Sequence, residues 1–186
     1  DHQAEAIGSN EGVRNMLSDT MQDAFNKQLN AEMWSGYIYL SMSAWFEGQS
    51  LPGMAVWMKN QALEELIHAM KFYDHINERG GTVTLTAIEG PDTEWASPLA
   101  IFETAYEHEC LVTSLINNLV DLAIKESDHA SNAFLQWFVS EQVEEEDNAM
   151  AIVDQLKMAG DARGALFMID RELGQRPAPS AAPAEE

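Results

Sequence analysis

The sequence predicts an all-α protein: a four-helix bundle with one long crossover between the second and third helices, and a short fifth helix at the C-terminal end. Three observations predict this architecture. Four long segments carry apolar residues at alternating steps of three and four, which is the spacing of one helix face. Each of these faces also contains an acidic residue near its middle. The segment between the second and third helices is irregular and long enough to run the length of a bundle.

The first helix is predicted over residues 16–47, with Ser18 or Asn15 available to cap its start. Glu32 occupies a core position on its apolar face. The other members of that face are Phe25, Leu29, Gly36, Tyr39, Ser43 and Phe46.

The second helix is predicted over residues 54–79 and ends at Gly80-Gly81, because glycine readily adopts the backbone conformation that closes a helix. Its inward face contains a glutamate and a histidine, in the series Met54, Met58, Gln61, Glu65, His68 and Phe72. The break before it is short, so the first two helices are expected to be antiparallel neighbours.

Residues 82–97 form the predicted crossover. Their Thr-Val-Thr-Leu-Thr alternation is typical of a strand, and Gly90, Pro91 and Pro98 exclude a long helix. Extended chain of this length spans roughly 50 Å at a little over 3 Å per residue. A bundle helix is only about 40 Å long. The second and third helices can therefore be parallel.

The third helix is predicted over residues 98–125 and the fourth over residues 131–158, ending at Gly160. The inward face of the third helix consists of Phe102, Ala105, Glu109, Val112, Ile116 and Val120. The inward face of the fourth consists of Phe134, Phe138, Glu141, Glu145, Asn148 and Ile152. All four helices thus place a carboxylate in the core.

A fifth, short helix is predicted over residues 162–173. Residues 1–15 are expected to form a polar arm, and residues 175–186 a disordered tail rich in proline and alanine. The single folded domain is therefore expected to cover residues 16–174.

Composition agrees with one soluble domain, since 46% of the 186 residues are hydrophobic and 22% are charged. The single cysteine, Cys110, allows neither an internal disulfide nor a four-thiolate metal site. The longest apolar runs are too short to cross a bilayer. A cytoplasmic location is expected, although a chain that begins at Asp1 leaves open a removed N-terminal segment.

The formal net charge is −21, from 31 acidic and 10 basic residues. A charge of this sign argues against nucleic acid as a partner, because nucleic-acid binding needs a basic surface. It also disfavours an anionic membrane surface. The functional interpretation is attraction of cations, and the alternative is plain solubility.

The Glu65-Leu66-Ile67-His68 segment is the clearest functional signal, since Glu65 and His68 lie one turn apart on the same inward face. Burying a charge is costly unless it is paired. A buried Glu65–His68 ion pair is one explanation. Three further helices also carry inward carboxylates, and several acids in one core need cations. We therefore expect a dinuclear metal centre.

Several segments resemble bacterial non-haem ferritins, which are ferritin-like di-iron proteins. The first predicted helix matches through Gln28-Leu29-Asn30-Ala31-Glu32, Tyr37-Ile38-Tyr39 and Ser41-Met42-Ser43-Ala44-Trp45. The second matches through Glu64-Glu65-Leu66-Ile67-His68, and the fourth through residues 134–142. The resemblance covers about residues 16–174 and includes the C-terminal Ile169-Asp170-Arg171-Glu172-Leu173.

The resemblance implies a role for each matching position. Glu32, Glu65 and His68 match the ligands of a first iron ion, with Glu65 bridging. Glu109 and Glu145 match ligands of a second, with Gln142 near it. Tyr39 matches a tyrosine beside the centre, and Trp137 a tryptophan that supplies electrons; ordinary aromatic packing is the alternative for both. The matches to a third iron site are Glu64, Glu141, Glu144 and Glu145, and a solvated helix face is the alternative for Glu64 and Glu144.

The sequence lacks residues that define several related families, which limits the cofactors and domains expected here. Leu66 stands where haem-binding relatives carry a methionine ligand, so no haem is expected. A single cysteine excludes a four-cysteine rubredoxin domain. The fourth helix lacks the second Glu-x-x-His of di-iron oxygenases. Asn132 and Leu135 stand where animal ferritins place acids at the channel through which iron enters, which puts that route in doubt.

The expected function is that of an iron-storing ferroxidase, which oxidises Fe²⁺ with O₂ or H₂O₂ and holds the ferric oxyhydroxide product inside a hollow shell. The resembling family builds this shell from 24 chains. Two other classes remain as alternatives: a di-iron oxidase of an organic substrate, and a metal-free structural shell whose acidic residues have lost their function. Neither a nucleic acid nor a membrane is expected as a partner.

Overall fold

A computed structural model of the protein describes residues 16–179. These residues form five helices and no strand: α1 (Asp19–Gly48), α2 (Pro52–Glu78), α3 (Pro98–Lys125), α4 (His129–Ala159) and α5 (Arg163–Leu173). None of the five is both long and apolar enough to cross a membrane. The predicted N-terminal arm lies outside the described residues. The predicted all-α bundle with a short fifth helix is confirmed.

Helix caps explain the differences from the predicted ends. The Ser18 hydroxyl accepts a hydrogen bond from the Met21 amide at 3.1 Å, so α1 begins at Asp19 rather than at residue 16. Asp128 caps α4 in the same way by accepting from the Ser131 amide, so α4 begins two residues earlier than predicted. Pro52 occupies the first turn of α2, where its missing N–H costs nothing.

The crossover lies against α1, and its strand-like sequence forms no strand. Asn26 exchanges hydrogen bonds with it, donating to the Thr82 carbonyl at 3.0 Å and accepting from the Thr84 amide at 2.7 Å. Near the other end of α1, the Ser41 hydroxyl donates to the Asp92 carbonyl at 2.7 Å. Side chains of α1 thus satisfy backbone groups that a neighbouring strand would otherwise bind. The crossover runs along the bundle, as its length predicts.

The core consists of two apolar clusters, one toward each end of the bundle. One includes Tyr39, Phe46 and Phe102, and the other includes Phe25 and Phe72. The middle turns of all four long helices lie between these clusters, and the buried polar side chains are concentrated there. Apolar packing on both sides therefore stabilises a polar layer in the middle of the bundle.

Helix α5 packs on the end of its own bundle, against the start of α2 and the end of α4. The Asp170 carboxylate accepts a hydrogen bond from the Met54 amide at 2.9 Å, and Ile169 and Leu173 are buried. Phe167 and Met168 lie on the opposite side and are 58% and 64% exposed. One face of α5 therefore has a partner within the chain, and the other is open.

The beginning of the segment after α5 contacts α2. The Asn60 amide on α2 donates to the carbonyl oxygens of Arg176 and Pro177 at 3.0 and 3.2 Å. These bonds and the side-chain contacts of Arg176 hold the beginning of the tail on α2. Composition does not reveal these contacts of Arg176 and Pro177 with α2, and the disordered tail expected over residues 175–186 stays a prediction. Residues 180–186 lie outside the described residues.

We predict that Gly53→Ala undocks α5 and lowers the free energy of unfolding by about 2 kcal/mol, as expected for overpacking. A Cβ at Gly53 would lie 1.6 Å from the Asp170 carbonyl oxygen. Guanidinium denaturation at fixed protein concentration would measure the loss. Gly164→Ala is the matched control, because a Cβ there meets nothing within 4 Å. Equal stability of both variants would contradict the close packing of α2 and α5.

Candidate metal centre

The middle layer of the bundle brings together carboxylates from all four long helices. Glu32 comes from α1, Glu65 from α2, Glu109 from α3 and Glu145 from α4. Their exposed fractions lie between 1% for Glu32 and 6% for Glu145. Carboxylates are rarely buried this completely without cations or protons, so the layer requires one or the other.

The first group of potential ligands consists of Glu32, Glu65 and His68, whose ligand atoms all lie within 4.8 Å of one another. His68 Nδ1 lies 3.3 Å from Glu65 Oε2 and 4.0 Å from Glu32 Oε2. Among the described residues, Glu32 Oε2 is the buried side-chain oxygen with no hydrogen-bond partner. An unpaired buried carboxylate oxygen facing another carboxylate and an imidazole is the donor arrangement that a divalent cation would complete.

A second group consists of His68, Glu141 and Glu145, again within 4.8 Å. His68 Nε2 lies 3.9 Å from Glu141 Oε1. The imidazole thus directs one ring nitrogen toward each group and stands between them. Each group could hold a metal ion, and both include His68.

Glu109 is held by donors on both of its oxygens. The Tyr39 hydroxyl donates to Oε1, and the Gln142 amide donates to Oε2 at 3.2 Å. Gln142 also donates to the Glu109 carbonyl at 3.2 Å, which fixes the amide between α3 and α4. The structure therefore brings Tyr39, Gln142 and Glu109 together at this end of the layer.

Two glutamines that sequence analysis did not assign to the site orient the remaining glutamates. Gln28 donates to Glu32 Oε1 at 2.8 Å. Gln61 donates to Glu65 Oε1 at 3.2 Å and to Glu145 Oε2 at 2.7 Å. Each glutamine lies four residues before a glutamate on its own helix. This Gln-x-x-x-Glu spacing, on an inward face, was the signal that could have identified them.

Burial controls the ionisation of these carboxylates. It raises the pKa of Glu32 to about 8, and the negative charge of Glu65 adds to the effect. Burial likewise raises the pKa of Glu109 and that of Glu145 to about 7, with further contributions from the Glu145 charge on Glu109 and the Glu65 charge on Glu145. Without metal, the centre therefore holds protons near neutral pH. A bound cation would displace them.

The pKa values of His68 and Tyr39 are also changed by burial and by the neighbouring carboxylates. Burial alone would lower the pKa of His68, but its contacts with Glu141 and Glu65 raise that pKa well above the ordinary value. Burial and the Glu109 charge raise the pKa of the Tyr39 hydroxyl, so it remains protonated and donates. Without metal, His68 and Tyr39 therefore both act as hydrogen-bond donors to the surrounding carboxylates.

The residues predicted for a third iron site do not form one group. Glu141 lies beside His68, in the second group. Glu64 forms an ion pair with Arg176, and Glu144 is exposed on α4. Burial raises the pKa of Glu64, while the charge of Arg176 opposes that rise. Of the predicted third-site residues, only Glu141 and Glu145 therefore share a candidate metal group with the central histidine.

Three further positions singled out in the sequence lie near the centre or in the surrounding helices. The Trp137 ring lies edge-on to His68 at 5.4 Å, with the Lys71 ammonium 4.1 Å from its centre. Leu66 is 41% exposed on the outer side of α2. Leu135, at the position compared with an acid-lined channel, is fully buried in the apolar core. Leu135 therefore lines no channel.

Comparison with known proteins gives a consistent match. A family model described as a ferritin-like domain matches residues 22–159. The bacterial non-heme ferritin of Bacteroides fragilis (strain 638R) is 48% identical over 161 residues, which cover 87% of this chain and 100% of that protein. The bacterial non-heme ferritin of Escherichia coli O157:H7 is 36% identical over 158 residues, covering 85% of this chain and 96% of that protein. A crystal structure of an open pore ferritin from Archaeoglobus fulgidus is 49% identical and superposes with a TM-score of 0.87, covering 88% of this chain and 99% of that one.

We predict that Glu32→Gln stabilises the metal-free fold by about 2 kcal/mol at pH 8 and by much less at pH 5. The raised pKa of Glu32 means that its ionisation opposes folding. Glu32 therefore does not lower the free energy of unfolding at pH values below its ordinary pKa of 4.5. Its destabilising effect grows as the pH rises toward its folded-state pKa of about 8. An amide cannot ionise, and it keeps the oxygen that accepts from Gln28.

The measurement is guanidinium denaturation of the metal-free protein at both pH values and one protein concentration. Glu78→Gln is the control, because Glu78 is exposed at the end of α2. A Glu32→Gln variant less stable than the parent at pH 8 would contradict the assigned shift.

Proposed function

This chain belongs to the ferritin family, and we propose that it stores iron by oxidising Fe²⁺ at the carboxylate centre in the middle of its bundle. The observation that carries the proposal is the pair of potential ligand groups that share His68, in which every residue except Glu141 is buried. Carboxylate oxygens with a single imidazole suit Fe²⁺, and they hold the harder Fe³⁺ ion more strongly. Fe²⁺ is the substrate in this proposal.

Binding is an exchange of protons for metal. The pKa values of Glu32, Glu109 and Glu145 are raised to about 7 to 8, so near neutral pH Fe²⁺ displaces protons from these carboxylates as it binds. Neutral amides orient the carboxylates without neutralising them, as Gln28 does for Glu32 and Gln61 for Glu65. The ligands are therefore placed before the metal arrives, and once their protons leave, the full carboxylate charge is available to the metal.

Oxidation then proceeds with a simple balance. Two Fe²⁺ ions lose one electron each, and the pair of electrons reduces one O₂ to H₂O₂ or one H₂O₂ to water. Water hydrolyses the two Fe³⁺ ions to an oxyhydroxide, with a net release of four protons. Glu65 is the ligand we place between the two ions. Tyr39 and Gln142 hold Glu109 at the second ion.

Storage needs an enclosed space, and we propose that 24 copies of the chain form it. Support comes from exposed apolar side chains on the outer side of α1 and α2, including Tyr37, Leu40, Leu63 and Leu66. Such side chains are suited to burial between copies. A charge of −21 per chain gives roughly −500 for 24 chains, which would attract Fe²⁺ toward the shell.

We predict that Glu65→Ala and His68→Ala each reduce the initial rate of Fe²⁺ oxidation on the order of 100-fold, because each removes a direct ligand. The assay is the absorbance of the ferric product after metal-free protein is mixed with Fe²⁺ in air. Glu78→Ala and His129→Ala are matched controls, since both residues are exposed. Parental rates in either ligand variant would reject the assignment of the centre.

The same assay separates storage from other uses of a di-iron centre. A storage protein continues to oxidise Fe²⁺ far beyond two ions per chain and retains the product. Oxidation that stops at two ions per chain, with no iron in the particle after gel filtration, would instead favour an oxidase of an organic substrate. Absence of metal binding would favour a purely structural shell.

We also predict that deletion of residues 161–186 leaves a helical, metal-binding protein that assembles poorly and retains little iron. The deletion removes Ile169 and Leu173 from the bundle end and removes the exposed face of α5. Light scattering with gel filtration would measure particle size. Deletion of residues 178–186 is the control, because it keeps the Asn60–Pro177 hydrogen bond. A full-sized, iron-filled particle from the longer deletion would exclude a role of α5 in assembly.

A further inference from the structure

The segment after α5 places one arginine on the helix that carries the Glu-x-x-His pair. The Arg176 guanidinium donates to Glu64 on α2, and it donates to the Gln61 side-chain oxygen at 2.9 Å. The Trp57 carbonyl accepts a third bond at 3.4 Å, and the guanidinium lies 4.5 Å from the centre of the Trp57 ring. Stacking and several hydrogen bonds together define one orientation of the guanidinium.

The backbone of the same residue is held independently. Asn60 donates to the Arg176 carbonyl, which anchors the chain beside the side chain that it positions. The side chain of Arg176 is only 19% exposed and that of Glu64 only 24% exposed. A pair this shielded from water is stronger than an ordinary surface ion pair, because solvent screens it less.

The contact with Gln61 connects Arg176 to the metal centre. Gln61 is fully buried, and its amide nitrogen donates to Glu65 and Glu145. An amide could also be turned around, which would direct its oxygen at these two carboxylates. Arg176 prevents this turn, because a guanidinium only donates and therefore requires the oxygen of Gln61 on its own side.

The contact with Glu64 has a second consequence. Glu64 precedes Glu65 in the chain, and Arg176 contacts it together with Gln61, whose amide donates to Glu65 and Glu145. It is therefore a carboxylate beside the centre that could take part in holding a further cation. The positive charge of Arg176 already neutralises it.

We propose that Arg176 determines how many metal ions the centre binds. Its guanidinium positions Gln61 for the two-ion site and forms an ion pair with Glu64, so that a third ion binds only when Arg176 leaves. The proposal rests on the function proposed above, in which the centre binds divalent iron. Arg176 is a positioning residue, since it acts through Gln61 and Glu64 rather than on the metal.

The test is anaerobic titration of the metal-free, full-length protein with Co²⁺, followed by calorimetry and by the visible spectrum of bound Co²⁺. The parent should bind two ions per chain. Arg176→Gln should bind a third ion and should bind the first two about tenfold more weakly, as expected when a group that orients a ligand is lost. Adding Glu64→Gln to this variant should remove the third ion only.

Arg176→Lys separates the two effects. Its ammonium keeps the charge at Glu64, so the stoichiometry should stay at two, but it lacks the planar fork that engages Gln61 and Glu64 together. The first two ions should therefore bind more weakly, as in Arg176→Gln. Arg171→Gln is the control for charge alone, since Arg171 is exposed on α5. Circular dichroism would verify that every variant is folded.

Two results would overturn the inference while the proposed function stands: a parent that already binds three ions, or an Arg176→Gln variant with the parent's stoichiometry and affinity. A parent that binds no Co²⁺ would overturn the proposed function, and this inference with it. A change of equal size in Arg171→Gln would assign the effect to net charge and would also overturn the inference.

Discussion

Burial of four carboxylates in one layer of the core is the constraint on which the rest of the structure depends. Each carboxylate would be costly to bury alone, so each is surrounded by neutral donors: Gln28 at Glu32, Gln61 at Glu65 and Glu145, and Tyr39 with Gln142 at Glu109. Apolar clusters on both sides of the layer supply the stability that offsets this burial.

The choice of donors explains how such a layer can exchange metal. Among the described residues, amides, a phenol and one imidazole contact these four glutamates, and no lysine or arginine forms an ion pair with them. A resident cation would compete with the metal for the same oxygens, whereas an amide orients a carboxylate and leaves its charge available. Raised pKa values of about 7 to 8 let protons fill the centre when metal is absent. Arg176, which does carry a charge, is kept one residue away at Glu64.

The connections serve to align the two helical hairpins across this layer. Hairpin α1–α2 supplies Glu32, Glu65 and His68, and hairpin α3–α4 supplies Glu109 and Glu145. The crossover, held to α1 by Asn26 and Ser41, joins the hairpins so that the two halves of the site meet. The Tyr39–Glu109 and Gln61–Glu145 hydrogen bonds then join the hairpins within the layer itself. Alignment and site geometry are therefore parts of the same network.

Sequence alone determined the helices, the crossover and the inward glutamates, because helical periodicity and the cost of burying charge are local properties that a sequence records. Only the tertiary structure decided which groups meet. It placed Glu141 with His68 and Glu145, and it paired Glu64 with Arg176, 112 residues later. It also placed Arg176 and Pro177 against Asn60 and Gln61 on α2, contacts that composition does not reveal. Such contacts depend on how distant helices pack, and no local pattern in the chain encodes that.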